Sequence, residues 1–194
     1  MMLLGLTGSI GMGKSTTAGL FREQGVPVYD ADAAVHALYR GAAVPLIEQA
    51  FPDAIRAGAV DRSLLRQALD RHPDGLKRLE AIVHPLVRAE EAAFLAKVRA
   101  QMARLAVLDI PLLFETDGAG RCDAIVVVTT RPETQRDRVM RRPGMTEELF
   151  AHLLSRQMPD AEKRHRAHFL VDSGHGIESA RRQVQAILRA VAGC

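Results

Sequence analysis

The chain has no tryptophan and only two tyrosines, so it has little to stack against nucleic-acid bases. It also has no asparagine anywhere, which removes the Asn-Lys-x-Asp pattern that a guanine-reading switch needs. Cysteine is scarce as well. Cys122 and Cys194 lie far apart, with neither metal-ligand spacing nor the density of a disulfide framework, as expected of a cytoplasmic protein. Long hydrophobic runs are missing too. Leu3–Leu6 and Ala124–Val128 are far too short to cross a bilayer, so no membrane partner is expected. No cationic region precedes the first apolar run, so the N-terminus is not expected to be a signal peptide. There is no internal repeat or biased tract.

What is present is a chain of 194 residues, 47% of them hydrophobic, enough to bury a full core. The formal net charge of +3 has its whole excess between residues 131 and 166. That basic stretch has no interleaved aromatics, so it fits phosphate groups on a small ligand better than a nucleic acid. Neither a nucleic-acid partner nor a nucleic-acid-remodelling motor is expected.

The most specific signal is Gly-Ser-Ile-Gly-Met-Gly-Lys-Ser at residues 8–15, the G-x-x-x-x-G-K-[ST] spacing of a phosphate-binding loop. Gly8, Gly11 and Gly13 are expected at positive φ, where successive backbone N–H groups turn inward to form an anion site. Lys14 is then placed to reach the β- and γ-phosphates, and the Ser15 hydroxyl to ligate Mg²⁺. A helix from Ser15 to Gln24, closed by Gly25, points its positive end at the same phosphates.

Five β-leaning runs stand out: Leu3–Thr7, Val26–Tyr29, Leu105–Asp109, Ala124–Thr129 and Phe169–Asp172. They are continuously apolar rather than alternating, as in parallel strands buried on both faces. With helices between them, they predict an α/β architecture: a three-layer P-loop NTPase fold on a five-stranded parallel sheet. Thr130-x-x-Glu133 reads as a capping box, Thr146 as a second N-cap, and Ile177–Val191 as the last helix.

The connection from Asp30 to Leu105 is several times longer than the dozen or so residues a parallel crossover needs. Leu76, Leu79, Ile82, Val83, Leu86, Val87, Phe94 and Val98 recur at helical steps, so this insert is expected to be helical and to bind a second substrate. His84-Pro85 is expected to kink or restart its long helix, with Arg88 one turn after His84. The expected domains are a nucleotide-binding core at 1–32 and 105–194, with a lid at about 131–166, and a helical subdomain at 33–104.

Asp30-Ala31-Asp32 ends the second strand; one acid can cap the next helix while the other enters a site. Asp109, after an apolar strand, fits the second Mg²⁺ partner of phosphate-loop proteins. Glu115, farther along, is open to a buried or a surface reading. Arg138 and Arg142 are expected to share a helix face, as a phosphate clamp hinged at Pro143-Gly144.

Taken together, Leu6–Thr16, Val28-Tyr29-Asp30-Ala31-Asp32, His84-Pro85, Asp109-Ile110-Pro111-Leu112-Leu113-Phe114-Glu115, Gln135-x-x-Arg138-x-x-x-Arg142, Arg156-Gln157-Met158-Pro159 and Glu162-Lys163 resemble the dephospho-coenzyme A kinases, in order and from end to end. The resemblance implies transfer of the ATP γ-phosphoryl group, with Mg²⁺, to the ribose 3′-hydroxyl of dephospho-CoA. Asp32 would be the base, with Lys14, Arg138 and Arg142 assisting. ATP would be held by Gly8, Gly11, Met12, Gly13, Lys14, Ser15 and Thr16, and the ion by Ser15 and Asp109. The acceptor would meet Thr7, Asp32, His84, Arg88, Leu113, Phe114 and Glu115. A monomer is expected. The chain departs from the family's usual Ile-Asp-Asn near the last strand, with Val171-Asp172-Ser173 instead, on the adenine side. Nucleoside monophosphate and shikimate-type kinases are the neighbouring alternatives.

Overall fold

A computed structural model describes residues 1–116 and 118–191. Cys194 lies outside them. The described residues divide into two compact units, Met1–Tyr29 with 98 onward, and Asp30–Lys97.

The first unit is built on a five-stranded sheet. In chain order its strands are β1 (Met2–Thr7), β2 (Val28–Asp30), β5 (Leu105–Asp109), β6 (Ala124–Thr129) and β7 (Phe169–Asp172), arranged as β2-β5-β1-β6-β7. The pairs β1–β5, β1–β6 and β6–β7 are parallel. β6 is buried along its whole length, which is why its sequence does not alternate. Helices α1 (Lys14–Glu23) and α9 (Ile177–Val191) supply Ala18, Leu20, Phe21, Ala180, Val184 and Ile187 to one apolar cluster with Leu4, Leu6, Val126 and Val128 of the sheet. Each such large side chain taken out of water contributes about 1.5–3 kcal/mol, the main force holding the site's scaffold.

Three further helices follow β6: α6 (Pro132–Met140), α7 (Glu147–Ser155) and α8 (Asp160–His165). Thr146 caps α7 as expected, its hydroxyl accepting from Leu149 N–H. The capping box at Thr130 does not form. Arg131 occupies the cap position of α6 without a side-chain bond, and Thr130 is buried. Pro132 explains the shift, since proline at the first helical position forces the preceding residue into the extended conformation that Arg131 adopts (φ −64°, ψ 146°). Helix α6 also stops at Met140, so Arg142 is not on it with Arg138, contrary to the expected shared face.

The second unit contains α2 (Ala31–Leu38), α3 (Val44–Ala50), α4 (Arg62–Asp70) and most of α5 (Gly75–Ala100). Leu38, Ile47, Phe51, Leu65, Leu79 and Val83 form its core. It is not purely helical. β3 (Ile55–Arg56) and β4 (Ala59–Val60) make a hairpin through Ala57 (φ 51°) and Gly58 (φ 75°), two positive φ values in a two-residue turn. Strands of two residues carry no readable alternation, so periodicity could not announce them. Nor does Pro85 divide α5, which runs unbroken across it. The helical bond lost at Pro85 frees the Ala81 carbonyl, and both residues are exposed, so water can satisfy it while Leu79 and Val83 keep the helix packed. Among the described residues no helix is long and apolar enough to cross a membrane.

Candidate active site

β1 runs into the 8–13 loop, and the loop into α1. Gly11 (φ 79°) and Gly13 (φ 90°) take the left-handed conformation as expected. Gly8 does not. It is required for a different reason, because a Cβ there would lie 2.7 Å from the Val128 carbonyl oxygen of β6. No side chain caps α1, so its first N–H groups are left for an anion, and Ser15 and Thr16 are exposed at that end.

Lys14, the first residue of α1, reaches Asp109 at the end of β5, with Nζ 2.6 Å from Oδ1. Asp109 is 2% exposed and Lys14 14%. The expected phosphate-binding cation and the expected metal-binding carboxylate thus stand together, each neutralising the other in a poorly hydrated place.

The loop is gripped from outside by side chains. Gln135 of α6 donates from Nε2 to the Ile10 carbonyl at 2.7 Å, and the Ile10 N–H donates to Gln157 Oε1 at 3.0 Å. Ser173, just after β7, donates its hydroxyl to the Met12 carbonyl at 2.7 Å. Arg138 donates from Nη1 to Ser173 Oγ at 2.7 Å and from Nη2 to the Ser173 carbonyl at 2.8 Å. The structure therefore brings Arg138 to the phosphate loop, while Arg142 is exposed in the turn after α6.

The segment after β5 is mostly committed to protein contacts. The Thr7 hydroxyl donates to the Pro111 carbonyl at 2.9 Å. Leu113 is fully buried, and its Cδ2 would lie 2.7 Å from a Cβ on Gly5, so it fills the core rather than facing a pocket. Phe114 is half-buried with the Arg166 guanidinium 5.9 Å from its ring centre. Glu115 resolves towards burial: its Oε1 accepts from Met158 N–H at 2.8 Å and pairs with Lys163 Nζ at 2.9 Å. Burial pushes the Glu115 carboxyl up, but the Lys163 ammonium and the Met158 N–H outweigh it and hold the group below the ordinary carboxylate range.

Lys163 is completely buried; the Glu162-Lys163 pair belongs to the family resemblance, but nothing in the sequence gave Lys163 its buried role, since it sits among charged neighbours on a helix of six residues. Ser173, Gln135 and Gln157 were likewise unassigned, as single polar residues in loops and helix faces give no periodic signal.

In the second unit, Asp30 is the N-cap of α2, its Oδ1 accepting from Ala33 N–H at 2.9 Å. Asp32 follows in the first turn of that helix and is exposed. His84 and Arg88 are exposed and four residues apart on α5, hence on one face.

A family model described as dephospho-CoA kinase matches residues 2–179. A curated dephospho-CoA kinase of Agrobacterium fabrum is 60% identical over 189 residues, covering 97% of both chains. A crystal structure of a Thermus thermophilus protein superposes with a TM-score of 0.85 at 37% identity, covering 97% of each chain. A dephospho-CoA kinase structure from Campylobacter jejuni shares the fold at a TM-score of 0.66 and 22% identity, over 97% of this chain and 96% of that one.

Proposed function

The chain belongs to the dephospho-CoA kinase family, and from that premise we propose that it transfers the γ-phosphoryl group of ATP to the ribose 3′-hydroxyl of dephospho-CoA, releasing ADP. The observation that carries this reading is the Lys14–Asp109 pair at 2.6 Å, at the mouth of an uncapped helix whose loop has the phosphate-binding spacing. On this reading ATP sits on the N–H groups of Gly8 to Thr16, and Lys14 leaves Asp109 for the β- and γ-phosphates.

The Ser15 hydroxyl and Asp109 carboxylate are hard oxygen donors, and Asp109 already accepts a cation's charge, so both fit Mg²⁺ with phosphate and water completing its shell. When bound, the ion would neutralise charge on the phosphate oxygens. Arg138 lies beside the loop, where its fork can meet the transferring phosphoryl oxygens. Arg142 could join it only from the exposed turn.

Asp32 is the base: it takes the 3′-hydroxyl proton as the new P–O bond forms and the bond to ADP breaks. Its exposure and place directly after β2 support that role, and Asp30 already serves as the cap. His84 and Arg88 would hold the acceptor's anionic groups, and Phe114 would meet the same acceptor. Thr7, Leu113 and Glu115 shape the segment behind it. Residues 131–166 act as the lid, and the enzyme works as a monomer in the cytoplasm, which a solution mass measurement checks. ADP release measured with dephospho-CoA against adenosine, AMP and shikimate tests the whole reading. Dephospho-CoA should be the efficient acceptor by a wide margin, and equal turnover of another alcohol would reject it.

A further inference from the structure

Ser173 touches the phosphate loop and Arg138 at the same time. A serine hydroxyl has one proton to donate. Here it goes to the Met12 carbonyl, so only the oxygen's lone pairs face Arg138, which has protons alone to offer. The direction is therefore fixed from Arg138 to Ser173 to Met12. The second bond, from Arg138 Nη2 to the Ser173 carbonyl, fixes the plane of the guanidinium as well as its position. Ser173 is itself pinned to the sheet, its N–H donating to the Thr129 carbonyl at 2.9 Å. A Cβ on Gly13 would lie 3.1 Å from Ser173 Oγ and 3.5 Å from Arg138 Nη1, so the guanidinium borders the residue directly before Lys14.

We infer that Ser173 is a positioning residue for phosphoryl transfer, presetting Arg138 at the edge of the phosphate loop before ATP arrives. A free arginine spreads over many rotamers, and ordering it during the reaction would slow transfer. Held at two points on a sheet-anchored serine, Arg138 needs only to exchange those partners for phosphoryl oxygens. The inference rests on the role proposed above for Arg138, and the test separates the two.

Rates are measured for Ser173→Ala, Arg138→Met and the double variant, with Ser173→Thr as the conservative control. Ser173→Ala should lower kcat by about 10-fold or more while leaving KM for dephospho-CoA near its original value. In the Arg138→Met background the same change should cost less than about 2-fold, because the two residues act through one contact. Ser173→Thr, which keeps the hydroxyl, should recover most of the rate. An equal penalty in both backgrounds would mean that Ser173 merely braces Met12, and the inference would be overturned; a wild-type rate for Ser173→Ala would overturn it too. Wild-type turnover by Arg138→Met is the distinct result that removes Arg138 from the proposed machinery, and this inference with it.

Discussion

In the unit that carries the phosphate loop, Ile10 is held by Gln157 and Gln135, Met12 by Ser173, and Lys14 by Asp109. In the helical unit, Asp32, His84 and Arg88 stand exposed on helices that also supply apolar side chains to the core. The first region is organised by polar bonds to the very groups expected to meet ATP. The second is a greasy scaffold that displays side chains without constraining them. Fixed dipoles stabilise developing charge without reorganising, which suits the unit where phosphate charge would move. Displayed side chains suit recognition of a large acceptor, since their order can come from the ligand.

The harshest way to break the contrast is to remove Lys14. Lys14→Ala should take phosphoryl transfer below detection, because the β- and γ-phosphates lose their cation. It should also cost stability. Read from the sequence, Lys14 serves the phosphates alone; in the structure it also neutralises Asp109, which is almost wholly buried. Losing that cation should cost about 1–3 kcal/mol, and adding Asp109→Asn should return much of the melting temperature but none of the activity. A Lys14→Ala protein that melts like the parent would show the pair to be energetically idle.

Asp32→Asn probes the other region and should be next in size. A positioned base contributes about 10²–10⁴-fold, so kcat should fall by at least about 10²-fold. Being exposed, Asp32 holds nothing up, so ATP binding and melting should barely change. Near-normal turnover would send the search for the base elsewhere.

Glu115 and Lys163 test how far polar organisation extends behind the loop. Glu115→Gln leaves a fully buried ammonium without its carboxylate and should cost about 3–5 kcal/mol. Lys163→Met leaves a carboxylate that is 16% exposed and can still reach water, so it should cost less, about 1–3 kcal/mol. Both deficits should depend on pH in the same direction. The parent's Glu115 is held below its usual range, so its contribution is present above the ordinary carboxylate pKa and is lost as pH falls through the lowered value. Without Lys163, the largest influence holding the group down is lost and it moves back up. The Lys163→Met deficit should therefore be full at neutral pH and shrink in acid. Thermal melts from neutral pH down to about pH 3 check both, and a deficit that grows in acid would refute the assignment.

The same contrast governs what could be read from the sequence. The three central strands were legible because buried parallel strands are continuously apolar, and the 8–15 loop because its spacing is rigid. The partly buried edge strands β2 and β7 were read from their apolar runs, β2 starting two residues later than expected. Asp109 and Lys14 were named separately, yet their pairing was invisible, since sequence reports residue types and not the distance between a strand end and a helix start. The hairpin at 55–60 was too short for any period. The bracing roles of Gln135, Gln157, Ser173 and Lys163 were hidden for a common reason: each works through long-range bonds, which leave no mark on sequence neighbours.

A smaller effect is expected at α5. Arg88→Ala should raise KM for dephospho-CoA by roughly 10-fold, the worth of one charge-assisted hydrogen bond, with KM for ATP unchanged. If both constants rose together, Arg88 would belong to the scaffold and not to acceptor recognition.

The smallest effect should come from the 131–166 segment itself. A basic lid hinged at Pro143-Gly144 ought to be strongly protected from proteases once ATP binds. Yet α6 is already fastened to the phosphate loop through Gln135 and Arg138 before any ligand arrives. What remains exposed is the stretch from Arg141 to Gly144, with Gly144 at φ 75°. Nicking tracks the population of open chain when reclosing is fast, so fastening that already exists limits what a ligand can add. Cleavage near Arg141 should therefore slow only a few-fold with Mg-ATP, and somewhat further with a bisubstrate analogue. Protection of a hundredfold would mean that α6 is loose in the free protein and that the braces form only with nucleotide. Unchanged cleavage would uncouple the segment from the nucleotide altogether, leaving its arginines as surface charge.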